Sequence, residues 1–140
     1  MKKMMTCAVC VVLALGCIAF GACAEANLDR FCDTWISDDY VLEITREGDD
    51  FKCNVMFEAG NGETEIWEYD LCWYDAEKDA LESFTVSKQR GYVDSKTAEF
   101  VETDWSLSDM YYSTFALSDS GDELTWTDDG LDKPIVLKRL

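Results

Sequence analysis

The stretch Phe51-Lys52-Cys53-Asn54-Val55-Met56-Phe57-Glu58-Ala59-Gly60-Asn61-Gly62-Glu63-Thr64-Glu65-Ile66-Trp67-Glu68-Tyr69-Asp70-Leu71-Cys72-Trp73 sets the fold class. Apolar residues recur with a period of two on both sides of Gly60-Asn61-Gly62, the pattern of two antiparallel strands joined by a tight glycine turn. Phe51, Cys53, Val55 and Phe57 fall on one face of the first strand. Trp67, Tyr69, Leu71 and Trp73 fall on one face of the second. Directly opposed residues of an antiparallel pair project to the same side, so the two sets share a core only if paired residue numbers have an even total. A two-residue loop that pairs Gly60 with Glu63 gives an odd total and sets Trp67 and Tyr69 beside Met56 and Asn54. A three-residue loop that pairs Ala59 with Glu63 brings the apolar sets together, with Gly62 as the left-handed residue of a bulge. On that register Cys53 points inward and Cys72 outward.

The same alternation runs through the rest of the chain. It predicts strands over 30–36, 40–46, 51–58, 64–74, 80–88, 110–117, 122–127 and 134–139. Acidic and glycine-containing clusters separate them, among them Glu47-Gly48-Asp49-Asp50, Asp119-Ser120-Gly121-Asp122 and Asp128-Asp129-Gly130. Such short connections join antiparallel neighbours, because a parallel crossover needs a dozen or more residues. Residues 91–109 break the rhythm; Phe100, Val101 and Trp105 suit either one more strand or a short helix. The chain therefore reads as an all-β, up-and-down antiparallel meander of eight or so strands. A closed barrel satisfies it by removing exposed edges, and a β-sandwich is the alternative.

Residues 1–26 read as an export signal. Lys2 and Lys3 precede an uncharged apolar run from Met4 to Phe20, followed by the small-residue exit Gly21-Ala22-Cys23-Ala24-Glu25-Ala26. Ala22-Cys23-Ala24 and Ala24-Glu25-Ala26 both fit ordinary signal peptidase. Phe20-Gly21-Ala22-Cys23 is similar to a bacterial lipobox, which makes Cys23 a lipidation candidate, and Leu15-Gly16-Cys17 is a weaker one. The expected location is extracytoplasmic, either secreted or lipid-anchored to the bacterial envelope, with membrane contact only through such an anchor. Residues 27–140 then form one domain, expected to be a monomer.

A chain that starts at Cys23 or Glu25 has lost Lys2 and Lys3 but none of the 29 acidic residues, leaving 10 basic side chains and a net charge of −19. That field repels nucleic-acid phosphates and favours cationic partners. The chain has no histidine, which removes Ser-His and Cys-His nucleophile pairs and the imidazole ligands of most zinc sites. No phosphate-binding glycine loop or nucleophile-elbow motif is present either. No enzyme activity, cofactor or metal is expected.

Cys32, Cys53 and Cys72 remain in the folded part, an odd count that leaves at least one unpaired. The face argument disfavours Cys53 with Cys72 and leaves Cys32 with Cys72 as the better disulfide; three reduced cysteines, with Cys53 as a small core residue, is the other reading. Trp35, Trp67, Trp73, Trp105 and Trp126 are core candidates that could also line a cavity or a sugar-stacking surface. The turns Asp119–Glu123 and Asp128–Asp132 cluster oxygen donors without the spacing of an EF-hand, and solvated hairpin turns account for them as well. Lys88, Arg90 and Lys96 read as counter-charges on an acidic surface.

From Phe31 to Arg139 the strand rhythm resembles the lipocalin-like, or calycin, barrels of exported bacterial proteins. Asp33-Thr34-Trp35 is similar to the Gly-x-Trp that opens their first strand, with Asp33 in place of the glycine. The resemblance implies that Arg139 or Lys138 packs over Trp35. By analogy it also implies a non-catalytic binding domain that holds a small apolar ligand near Trp35, Trp67, Tyr69 and Trp73. Two alternatives are a protein-interaction or protease-inhibitor-like module that meets a basic protein partner, and a carbohydrate-binding module. A solidly packed interior would argue against the first reading, and an exposed aromatic strip would favour the third.

Overall fold

The alternation predicted from sequence carries through the computed structural model, which describes residues 28–60 and 62–140, with the backbone alone for 104–109. The leader and its Cys23 lie outside the described residues. Among those residues a 3-10 turn, Leu28–Phe31, precedes ten strands: β1 (Asp33–Ile36), β2 (Tyr40–Glu47), β3 (Asp50–Gly60), β4 (Glu63–Asp75), β5 (Ala80–Ser83), β6 (Val86–Val93), β7 (Phe100–Asp109), β8 (Ser113–Leu117), β9 (Glu123–Asp128) and β10 (Ile135–Arg139). Hydrogen bonding runs β1-β2-β3-β4-β5-β8-β9-β10 and returns to β1, so eight antiparallel strands close into a barrel. The predicted strand over 80–88 is two strands, both borne by one edge of β4. β5 pairs with its last residues, Trp73↔Glu82 to Asp75↔Ala80, and β6 with its first half, Thr64↔Gly91 to Glu68↔Ser87. The stretch left open between 91 and 109 supplies β7, which pairs with β6 outside the ring.

Inward positions follow the pleat. Leu42 and Ile44 of β2, Leu124 and Trp126 of β9, Phe115 of β8 and Leu137 of β10 are buried, while the residues between them are polar or partly exposed. Phe31 and Trp35 complete one part of this core with Phe51; the Phe31 and Phe51 rings meet edge to face at 6.2 Å. The Trp35 indole donates to the Phe31 carbonyl at 3.1 Å. Arg139 lies 4.3 Å over the Trp35 ring and bonds the Asp33 carboxylate, while the Leu140 amide donates to the Thr34 carbonyl at 2.9 Å. Of the two basic residues expected over Trp35, the structure selects Arg139. The hydrogen bond from Arg139, with help from the Thr34 amide, lowers the Asp33 carboxyl below its ordinary range.

The β3–β4 hairpin keeps the even total from Cys53↔Tyr69 to Glu58↔Thr64, so Cys53, Val55, Trp67 and Tyr69 share the interior. The shift that makes this register work sits beside the loop. Gly60 rather than Ala59 pairs with Glu63, and a bulge between Glu58 and Gly60 restores the phase, with Gly60 at φ +91° and Gly62 at φ +76°. Both values lie in the left-handed region that only glycine enters without strain. Gly62→Val is expected to destabilise the protein by roughly 1 kcal/mol or more, since a β-branched residue resists that conformation. Urea unfolding curves of the two proteins would show it as a lower midpoint at unchanged slope, and an unchanged midpoint would contradict it.

A second irregularity overturns part of the predicted face. Between Phe51↔Cys72 and Cys53↔Tyr69, β3 advances two residues while β4 advances three. This bulge reverses the phase of β4, so Cys72 is buried at 2% exposure, whereas Leu71 and Trp73 turn outward at 65% and 38%. The inward placement of Leu71 and Trp73 and the outward placement of Cys72 are thus corrected by one extra residue.

Candidate functional site

Three of the four residues expected at a ligand site, Trp35, Trp67 and Tyr69, lie in the barrel interior, and each is engaged by protein. Trp126 is the hub for Trp67 and Tyr69. Its ring meets Trp67 at 5.7 Å, Tyr69 at 6.4 Å and Tyr40 at 5.6 Å, all edge to face, and stacks parallel to Phe115 at 6.5 Å. Phe115 and Tyr69 meet at 5.3 Å, and Phe57 and Trp67 at 5.5 Å. These are ring-to-ring contacts of the favoured geometry, so the aromatic faces are spent on one another.

Beneath the rings lies a polar cluster. The Asp128 carboxylate is buried and accepts hydrogen bonds from the Tyr69 hydroxyl at 2.7 Å, the Ser113 hydroxyl, and the Gly130 amide at 2.7 Å. Burial, with the Asp128 charge second, pushes the Tyr69 phenol far above its ordinary value, so it stays a neutral donor. The turn Asp128–Asp132, whose oxygen donors cluster in the sequence, therefore directs its first carboxylate inward. Lys88 is not a simple surface counter-charge. Its ammonium lies 4.0 Å over the Trp67 ring and 4.1 Å over the Tyr111 ring. Arg90 does pair with a surface acid, Glu65, at 3.4 Å.

Trp73, the fourth residue, stands on the outside and forms a different arrangement. β4 and β5 place it 5.2 Å from Phe84 at an interplanar angle of 33°, and Phe84 lies 5.2 Å from Tyr112 at 37°. The middle ring, Phe84, is the most open of the three at 53% exposure. A closed stack would cover the middle member, so the rings form a tilted row open to solvent. Polar groups border it. Tyr112 donates to Glu82 at 2.5 Å; Lys78, from the β4–β5 turn, contacts Glu82 and lies 2.9 Å from the Tyr112 oxygen and 3.5 Å from Asp75. Hydrogen bonding to Glu82 and then to Tyr112 raises the Lys78 ammonium pKa, keeping it charged. The Glu77 amide and Lys78 lower that of Asp75.

Sequence reading did not single out Phe84 or Tyr112. Both carried a signal: counted along the predicted strands 80–88 and 110–117, Phe84 is out of phase with Leu81 and Tyr112 with Phe115. Cys32, Cys53 and Cys72, the disulfide candidates, are thiols in the structure; Cys53 and Cys72 are buried and Cys32 partly so. Compared with protein-family models, curated proteins and solved structures, the chain matches none.

Proposed function

We propose that this chain is a non-catalytic, extracytoplasmic carbohydrate-binding domain that takes neutral glycans on the row Trp73, Phe84 and Tyr112. The observation that supports this reading is the outward, solvent-open aromatic row flanked by fixed polar groups. A pyranose presents an apolar C–H face to such rings, and its hydroxyls find partners in Lys78 and Asp75. The interior offers less support for a small apolar ligand, because Trp35, Trp67 and Tyr69 already contact other protein groups. The strongly acidic balance, −17 for the whole chain, selects among glycans. It repels polyanionic polysaccharides and leaves neutral ones unaffected.

Affinity electrophoresis through gels containing neutral polysaccharides, a β-glucan, a xylan, a mannan and a starch in turn, tests this directly. At least one is expected to retard the protein equally at low and high salt. Phe84→Ala and Trp73→Ala should each weaken that retardation tenfold or more, about 1.4 kcal/mol, with the circular dichroism unchanged. No retardation by any of them, or equal retardation of the double variant, would overturn the proposal. Capture of a basic protein that weakens with salt would favour the protein-interaction reading instead.

A further inference from the structure

We propose that Cys53 and Cys72 are a disulfide-forming pair that ties β3 to β4 across the bulge. The two residues occupy adjacent strands and the same interior face, and both are buried. Cys72 is directly opposite Phe51, and Cys53 directly opposite Tyr69, so the cysteines are diagonal neighbours around the extra residue of β4. The Cys72 thiol leans toward the Cys53 rung: its sulfur lies 3.4 Å from the carbonyl oxygen of Tyr69, the residue facing Cys53. Diagonal positions on one face of an antiparallel pair stand about 7–8 Å apart, at or just past the ~7 Å between Cα atoms that a disulfide spans without backbone movement, so closing the bond draws the two strands together at the bulge. Without the bulge Cys72 would face outward and no such pair would exist. The inference is independent of the glycan reading.

The chemistry is thiol–disulfide exchange with a low-molecular-weight disulfide as oxidant. One protein thiolate attacks a sulfur of the small disulfide, breaking its S–S bond and releasing one small thiolate. The second protein thiolate then attacks the protein sulfur of the mixed disulfide and expels the other. Two protein thiols are oxidised, one small disulfide is reduced to two thiols, and the two protons end on those leaving groups. Burial, and next the hydrogen bond with Cys72, pushes the Cys53 thiol well above its ordinary range. The thiolate is therefore scarce in the folded barrel, and exchange belongs to the folding chain. The pair is a structural tie and not a redox catalyst.

Trypsin gives an unambiguous readout, because Cys53 and Cys72 fall in one peptide, 53–78, while Cys32 falls in another, 31–46. The full chain is unfolded in denaturant under reducing conditions, refolded by dilution into a glutathione redox buffer, alkylated and digested. Peptide 53–78 is expected without alkyl groups and lighter by two hydrogens than its dithiol form, with Cys32 alkylated. The Cys32→Ser protein should give the same peptide. A doubly alkylated 53–78, or 53–78 joined to 31–46 or to any other cysteine-containing peptide, would overturn the pairing.

Discussion

Trp126→Ala is expected to cost about 3–5 kcal/mol, the range for emptying a large aromatic from a close-packed core. That is a large share of the roughly 5–15 kcal/mol by which a domain of this size is stable. The reason is the central position of the ring. Trp126 is fully buried and contacts Tyr40, Trp67, Tyr69 and Phe115, which come from β2, β4 and β8. Its removal leaves a hole bordered by strands that are fixed by barrel closure, so the walls relax little. Urea unfolding followed by circular dichroism would measure the loss, and Trp126→Phe should recover part of it. A loss below about 1.5 kcal/mol for the alanine variant would mean that the interior collapses freely and that the rings do not interlock as described.

Asp128→Ala carries the second large effect, about 3 kcal/mol, through a different physical cause. The substitution leaves the Tyr69 and Ser113 hydroxyls and the Gly130 amide without their acceptor. A buried donor so deprived costs about 1–3 kcal/mol. Tyr69→Phe alone removes one donor and should cost less, about 1 kcal/mol. In the double variant Asp128→Ala with Tyr69→Phe, the two losses should add to less than their sum, because the phenylalanine no longer needs the missing carboxylate. A double-mutant cycle reports that coupling, and strict additivity would show that the Tyr69–Asp128 bond contributes nothing specific.

The parts of this fold that were legible from sequence are those governed by period and by glycine. Alternation located most of the strands, and the even-total argument put Cys53 and Trp67 on one side of the sheet, where they lie. Gly62 advertised its positive φ because the turn demanded it. The bulge between Tyr69 and Cys72 had no such marker. Asp70 and Leu71 are neither glycine nor proline, and the extra residue is accommodated by a partner strand elsewhere in sequence. Uninterrupted alternation from Trp67 to Trp73 therefore gave the wrong side for Leu71 and Trp73. Strand β7 was ambiguous for a related reason: it pairs only with β6 outside the ring, so closure of the barrel imposes no pattern on it. Phe84 and Tyr112 were visible as phase errors but meet only in three dimensions.

The seam between β1 and β10 bears on how the chain reaches this structure. Its Asp33–Arg139 contact joins residues 106 apart in sequence, and the Trp35↔Arg139 rung lies beside it. The ring is thus incomplete until β10 is available, whereas the hairpin β3–β4 can pair locally. Loop-closure entropy opposes a contact of such separation, so folding is expected to be slow for the chain's length, with the seam as a late event. A nascent chain lacking its final strand would present two unpaired edges, β1 and β9, and would be open to partners and proteases that the finished barrel excludes.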